Sequence, residues 1–337
     1  ILSLARRMAR KRTMISISWS LTRQDHGEQA FWAAITLAAM LGQIGLPGGG
    51  FGFGYSAMNY IGGDFTILPF SALPQGKNSV NDFIPVARIT DLLTCPGETV
   101  DFDGQTLQYP DIKMMYWAGG NPFHHHQDLG CLMKAWQKPD TIVVHEWCWN
   151  SLAKRGDIVL PCTTPLERQD IAMTPRDPYI VSMSQLMQPF ANSRNDYAIF
   201  AGIAQELGIF EAFTNGLSDV DWQRKIYDET RESAAQIGHD LPDYETLLQN
   251  GWYKITDPAE QKIMSEKFRD DPQRHPLATP SGKIEIFSRT VSDFGYDDCP
   301  GHPVWIEPYE WLGASDQTHP FHLISNQPEA KLHSQID

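Results

Sequence analysis

Two hydrophobic periods alternate along the chain. Residues 1–12 read as the end of a helix. Residues 13–19 alternate like a strand, with Ile15 and Ile17 on one face and Ser16 and Ser18 on the other. Ser20 to His26 are polar and read as the loop at that strand's carboxyl end. From Gly27 to Ile44 the pattern is helical and apolar nearly all round, which predicts a buried helix; Gly45, Pro47 and Gly48-Gly49-Gly50 stop it. The next stretch, to about Pro110, has many Gly and Pro and no strong period. It reads as a long irregular excursion over the surface.

Periodicity returns at Asp111. Lys113 to Ala118 is predicted as a strand, Gly119-Gly120-Asn121-Pro122 as a turn and Gln127 to Gln137 as a helix. Thr141 to His145 is an apolar β-branched run. Asn150 to Arg155 suits a short helix, and Asp157 to Pro161 reads as another buried strand. Strand, helix, strand, helix, strand at this spacing implies an α/β fold with parallel strands and right-handed crossovers. Apolar strands between helices fit a sheet covered on both faces. A later helix runs from Asp196 to Leu207 and ends at Gly208, and residues 210–275 are charged and mostly helical. Lys283 to Phe287 and His322 to Ile324 read as short strands. No internal repeat is present.

Composition narrows the class. The 337 residues are 42% hydrophobic and 20% charged, enough to bury a core in about two domains. A net charge of -14 argues against a general nucleic-acid binder, whose footprint is basic. The longest apolar run, Ala30 to Leu41, is about 12 residues, short of the roughly 20 that a membrane span needs. Cys95, Cys131, Cys148, Cys162 and Cys299 form no CxxC pair and read as buried apolar thiols. The basic cluster Arg6, Arg7, Arg10, Lys11 and Arg12 leads into a strand, not an export segment, and reads as a solvated helix face. Ile at position 1 and the end at Asp337 read as the borders of a piece cut from a longer chain.

In an open parallel sheet, ligands bind at the carboxyl ends of the strands. Three polar loops fall there: Ser20 to His26, Gly119 to Gln127 with His124-His125-His126, and His145-Glu146-Trp147. Glycines allow backbone N–H groups to approach a phosphate, and a helix amino terminus favours its charge. Carboxylates such as Glu146 and Asp196 can accept the paired N–H donors of a guanine edge, and amides and histidines can bond a ribose or a pterin. Together these suit a large, polar, phosphate-bearing cofactor. Taken singly they are weaker. Gly119-Gly120-Asn121-Pro122 is no GxGxxG and by itself reads as an ordinary turn. The three consecutive histidines point in different directions and read as a polar loop with at most one functional member. Trp19, Trp147 and Trp149 serve equally as packing residues or pocket walls. Asp25 and His26 could pair as acid and base, while Asp25 as helix cap is the simpler account. HExxH, GxSxG and P-loop motifs do not occur.

At these loops the sequence resembles the molybdopterin oxidoreductases of the dimethyl sulfoxide reductase family. The resemblance lies in Trp19 to Gln29 (WSLTRQDHGEQ), Gly42 to Gly52 (GQIGLPGGGFG), Trp117 to Asp128 (WAGGNPFHHHQD), Asp157 to Asp170 (DIVLPCTTPLERQD), Thr279 to Ser288 (TPSGKIEIFS) and Leu332 to Gln335 (LHSQ). It is greatest for the branch of dimethyl sulfoxide, trimethylamine N-oxide and biotin sulfoxide reductases, and runs along essentially the whole chain.

The resemblance implies molybdenum held by bis-(molybdopterin guanine dinucleotide), with one guanine dinucleotide in each of two Rossmann-like doubly wound domains. It divides the chain into 1–110, part of the first such domain plus the excursion; 111–318, the second with a helical insertion; and 319–337, the start of a β-barrel-like pterin-capping domain. The segment bearing the metal-ligating serine would lie upstream, so no catalytic or metal-ligating residue is assigned here. Implied cofactor contacts are Ser20, Leu21 and Asp25; Gly120, Asn121 and His125; His145 and Glu146; Arg168 and Asp196; and Ser325, Asn326, Gln327, His333 and Ser334 on the pterin face. Trp117 packs beside the pterin. Two positions depart from the pattern. Asp25 stands where close relatives tend to have His. Lys331 replaces the usual Arg before LHSQ, exchanging a bidentate clamp for a point charge. The implied reaction is two-electron oxygen-atom transfer from an S-oxide or N-oxide. Its electron donor would be a c-type cytochrome or a reductase, and its compartment the periplasm rather than the cytoplasm. A formate dehydrogenase or nitrate reductase type, or a non-catalytic nucleotide-binding α/β protein, are the alternatives.

Overall fold

The computed structural model describes residues 1–55, 61–258, 262–315, 318–324 and 329. The chain forms two compact units, one nested within the other along the sequence: Ile1–Ile67 is continued from Asp257 onward, and Leu68–Thr256 builds the second unit between them.

The first unit opens with α1 (Leu2–Arg10), β1 (Met14–Ser16), α2 (Gly27–Met40) and β2 (Gly50–Gly52). β1 and β2 pair in parallel, Met14 with Gly50 and Ser16 with Gly52. The strand is shorter than the alternating pattern suggests, because a 3₁₀ turn takes over at Trp19. α2 buries Gly27, Gln29, Ala34 and Ala38 but leaves Met40 76% exposed, so its all-round apolar pattern does not make it a buried helix.

In the second unit come α3 (Ile89–Thr94), β3 (Thr99–Phe102), β4 (Gln105–Gln108), β5 (Met114–Ala118), α4 (Leu129–Ala135), β6 (Thr141–Glu146) and β7 (Ile158–Pro161). β5, β6 and β7 form a parallel sheet in that order, as the alternation of strands and helices predicts. Leu132, Ala135 and Trp136 pack on Ile142 and Val144 together with Leu93 of α3. Through that contact α3, which precedes 110 in the chain, completes the core of the second compact unit. The supposed excursion also holds a hairpin, β3–β4, turned by Asp103 (φ 50°) and Gly104 (φ 74°). Asp-Gly supplies the two positive φ values that a tight hairpin needs. β6 is buried from Ile142 to Glu146, whereas β5 and β7 each expose part of one face, so only the central strand is covered on both sides.

The second unit continues with β8 (Asp170–Ala172), β9 (Tyr179–Met183), α5 (Asp196–Glu206), α6 (Phe210–Thr214), α7 (Asp219–Gln236), α8 (Tyr244–Asn250) and β10 (Trp252–Lys254). The strands β8, β9 and β10 make an antiparallel sheet that the sequence pattern does not reveal. Back in the first unit, the Thr66 N–H donates to the Asp257 carbonyl at 2.9 Å, and α9 (Glu266–Asp270) and α10 (Arg289–Asp293) follow. The strands expected at 283–287 and 322–324 do not form: Ile286, Phe287, Leu323 and Ile324 are exposed, with no strand beside them among the described residues. The end of the region expected to begin a barrel-like domain lies outside the described residues, and 318–324 are irregular. Among the described residues no helix is long and apolar enough to cross a membrane.

Candidate functional site

Parallel register places the ends of β5, β6 and β7 side by side. Ala118 pairs with His145, and His145 with Leu160, so the three following loops leave from one edge. At this edge His145 is 2% exposed, and both ring nitrogens are used. Nδ1 lies 2.8 Å from Asp196 Oδ1, and Nε2 lies 2.6 Å from the Tyr116 hydroxyl. With Tyr116 donating to Nε2, Nδ1–H donates to the carboxylate, and the neutral ring is satisfied at both ends. Phe200 of α5 lies against both rings, its centroid 5.0 Å from His145 and 5.6 Å from Tyr116. His145 therefore has no ring nitrogen left for a ligand.

Glu146 is different. It is 9% exposed, and among the described residues no hydrogen bond or ion pair engages its carboxylate. Its oxygens are not wholly sealed from water, so the carboxylate is partly desolvated and open to a donor. Beside it, the Cys162 thiol is pushed up to about 11, first by burial and then by the charges of Asp196 and Glu146, with Arg168 opposing them. Glu146 pairs with Pro161, and its carbonyl accepts from the Cys162 N–H at 3.2 Å, so the two residues meet at the end of β7. Because the native state holds this proton tightly, the stabilisation it contributes is complete below the ordinary thiol value of 9.0. It is lost as pH rises through about 11. Iodoacetamide should accordingly label Cys162 slowly at pH 8, as read by mass spectrometry of the digested protein; labelling as fast as for an unfolded control would contradict the shift. None of the five thiols is fully buried as expected: Cys131 is exposed, and Cys95, Cys148, Cys162 and Cys299 are half-buried.

The other members of this group are held firmly. Arg168 donates from Nε to Asp170 at 3.1 Å and from Nη1 to the Thr163 carbonyl at 2.8 Å. Asn195 caps α5 by accepting from the Ala198 N–H at 2.7 Å, and its amide donates to Asp219 at 2.8 Å. Arg168, Asp170, Asn195, Asp196, Tyr197 and Trp222 help line a cavity of about 360 Å³, within the ~300–1,000 Å³ of small-molecule sites.

Beyond β5 the chain turns at Gly119 (φ 91°) and Gly120 (φ 81°), a backbone that side chains resist. A Cβ on Gly119 would meet nothing within 4 Å, so the turn presents open backbone. Trp117 Nε1 donates to the Gly120 carbonyl at 2.9 Å, and Trp117 also packs on the core of the second unit. Asn121, 1% exposed, accepts from the Phe123 N–H at 3.1 Å and reaches Ser151 Oγ at 3.4 Å, which makes it a loop fastener. His124 Nε2 lies 3.0 Å from the same hydroxyl, and His125 is exposed. Trp147 and Trp149, offered as packing residues or pocket walls, are both largely exposed.

In the first unit, Ser20 and Leu21 sit in the 3₁₀ turn Trp19–Arg23, where Ser18 Oγ accepts from the Ser20 N–H at 3.3 Å. Asp25 does not cap α2. Its carboxylate accepts from the Tyr309 N–H at 2.9 Å and lies 3.6 Å from His26 Nε2. The cap position belongs to His26, left-handed at φ 53° and without a side-chain cap bond. Gly27 carries the close approach here: a Cβ would stand 1.8 Å from the Leu21 carbonyl oxygen.

The structure thus brings Gly120, Asn121, His145, Glu146, Arg168 and Asp196 to one edge of one sheet, and Ser20, Leu21 and Asp25 to one turn of the other unit. Ser325, Asn326, Gln327, His333 and Ser334 lie outside the described residues. Sequence reasoning missed Tyr116, Ser151 and Asn195. Asn195, directly before an acidic first turn, carries a cap signal that could have been read.

The family model described as Molybdopterin oxidoreductase matches residues 4–206. A biotin sulfoxide reductase of Cereibacter sphaeroides is 45% identical over 338 residues, covering 100% of this chain and 45% of its own. A dimethyl sulfoxide/trimethylamine N-oxide reductase of Rhodobacter capsulatus is 41% identical over 354 residues, covering 100% and 42%. The chain thus spans less than half the length of these relatives. Among solved structures, acetylene hydratase from Pelobacter acetylenicus aligns over 67% of this chain and 27% of its own, at 19% identity and TM-score 0.44.

Proposed function

The chain belongs to the molybdopterin oxidoreductase family, and from that premise we propose that it is part of a bis-(molybdopterin guanine dinucleotide) molybdenum reductase acting on an S-oxide or N-oxide. The observation that carries the reading within the fold is Glu146, an unengaged carboxylate nine-tenths buried at the carboxyl edge of a parallel sheet. Paired N–H donors of a guanine edge are what such a group lacks. Open backbone at Gly119 suits a diphosphate, and the cavity beside Asp196 and Arg168 suits the nucleoside. These residues fit the group. Glu146 and Asp196 would hold the base, the Gly119-Gly120 turn the phosphates, and the Ser20–Asp25 turn would serve a second nucleotide in the first unit. When bound, the molybdenum centre supplies the two-electron oxygen-atom chemistry, while the chain supplies grip and orientation.

Dimethyl sulfoxide, trimethylamine N-oxide and biotin sulfoxide are the substrates proposed. A c-type cytochrome or a reductase is the electron donor, and the periplasm the compartment. The test is a purification of the protein from molybdenum-replete cells. Metal content, GMP released by acid hydrolysis, and oxidation of a reduced viologen dye by each oxide are then measured. Molybdenum and GMP in a ratio near one to two, with turnover of at least one oxide, is the expected result. Protein lacking both molybdenum and GMP would overturn the reading.

A further inference from the structure

We infer that Tyr116 is a positioning residue for the nucleotide, acting through His145 on Asp196. The inference rests on the guanine-nucleotide site proposed above and adds to it a residue that acts at one remove from the ligand.

Three elements contribute one group each: Tyr116 from β5, His145 from β6 and Asp196 from the first turn of α5. Asp196 is the member that meets a ligand. Its side chain is half exposed and helps line the cavity, and one of its two oxygens is taken by His145 Nδ1. That bond selects one orientation of a side chain that could otherwise swing into solvent, and leaves Oδ2 for the nucleotide.

In a neutral imidazole the bond needs the proton on Nδ1. With the proton on Nε2, the Nδ1 lone pair would face the carboxylate and repel it. His145 is almost wholly enclosed, so water does not choose the tautomer. Asp196, which can only accept, draws the proton to Nδ1, and the Tyr116 hydroxyl, 2.6 Å from Nε2, donates to the lone pair left there and anchors the far side of the ring. Orientation of a buried imidazole by a partner on its far nitrogen is the device by which outer residues tune a site. Phe200 packs on the same ring, but having no polar atom it cannot hold Nε2.

Tyr116→Phe removes the hydroxyl and keeps the stack on Phe200. The protein carrying its cofactor is purified as wild type, Tyr116→Phe, Asp196→Asn and the double variant, and loss of GMP per polypeptide is followed through a timed warm wash. Tyr116→Phe should lose GMP about tenfold faster than wild type. Asp196→Asn should lose it at least as fast, and the double variant no faster than Asp196→Asn alone. That non-additivity is the signature of action through Asp196, which loss of local packing would not give. Wild-type retention in Tyr116→Phe, or multiplying losses in the double variant, would overturn the inference. Wild-type protein without GMP would overturn the nucleotide site instead. Should Tyr116→Phe prove unfolded by circular dichroism, His145→Ala replaces it in the same cycle, with the same non-additivity expected and the same additive outcome decisive against it.

Discussion

Glu146→Gln should weaken retention of the guanine nucleotide by about 2–3 kcal/mol, roughly 30- to 150-fold, while making the cofactor-free protein more stable. Both halves follow from one fact. The carboxylate is buried and, among the described residues, has no hydrogen-bond or ion-pair partner. In the free protein the isosteric amide removes an unpaired, partly desolvated charge, for a gain of at most about 1 kcal/mol. In the loaded protein the amide NH2 would oppose the donors of the guanine edge, where two carboxylate oxygens would have accepted them. GMP content after dialysis reads the first effect, and urea unfolding of cofactor-free protein reads the second. Equal retention in variant and wild type would detach Glu146 from the nucleotide. A less stable cofactor-free variant would mean that the carboxylate already has a partner.

Gly27→Ala should cost about 3 kcal/mol of stability, although alanine is the better helix former. The backbone angle is not the reason. An added Cβ would fall 1.8 Å from the Leu21 carbonyl oxygen and 2.8 Å from its carbon, and backbone atoms cannot swing aside as a side-chain tip can. Either the amino end of α2 or the Trp19–Arg23 turn must move, and with it Ser20, Leu21 and Asp25. Gly202 supplies the control. It lies within α5 with nothing within 4 Å of a built Cβ, so Gly202→Ala should stabilise by about 0.5–1 kcal/mol. Chemical unfolding of both variants checks the pair. A mild effect at Gly27 would show that the turn yields readily and does not need this glycine.

What the sequence discloses follows the range of each interaction. The Thr141–Val144 run and its flanking helices predict β5–β6–β7 because a buried parallel strand must be apolar along its whole length. The Asp103-Gly104 hairpin is equally local, but its signal stands among neighbouring glycines and prolines that turn no hairpin among the described residues. Ile286 and Phe287 have the composition of a strand, but pairing needs a neighbour, and none stands there among the described residues. At the site, Glu146 and Asp196 are legible as residue types. Their division of labour is not. His145 meets Tyr116 from 29 positions away and Asp196 from 51, and only the folded register engages both ring nitrogens of the histidine while leaving the Glu146 carboxylate without a partner among the described residues.

The nesting of one unit inside the other sets a schedule for synthesis. Thr66 and its partner Asp257 are separated by 257 − 66 = 191 positions, so the first unit cannot close until the whole of Leu68–Thr256 has left the ribosome. At ~5–20 residues per second that is a delay of roughly 10–40 s, during which α1, β1, α2 and β2 wait without the isolated antiparallel bridge that Phe65 makes with Pro258. The inserted unit emerges as one continuous stretch and can fold in the meantime. Translation therefore delivers the sheet edge bearing Glu146 and Asp196 before the turn bearing Ser20 and Asp25 is locked, and the nascent chain exposes the apolar flank of α2 throughout that interval.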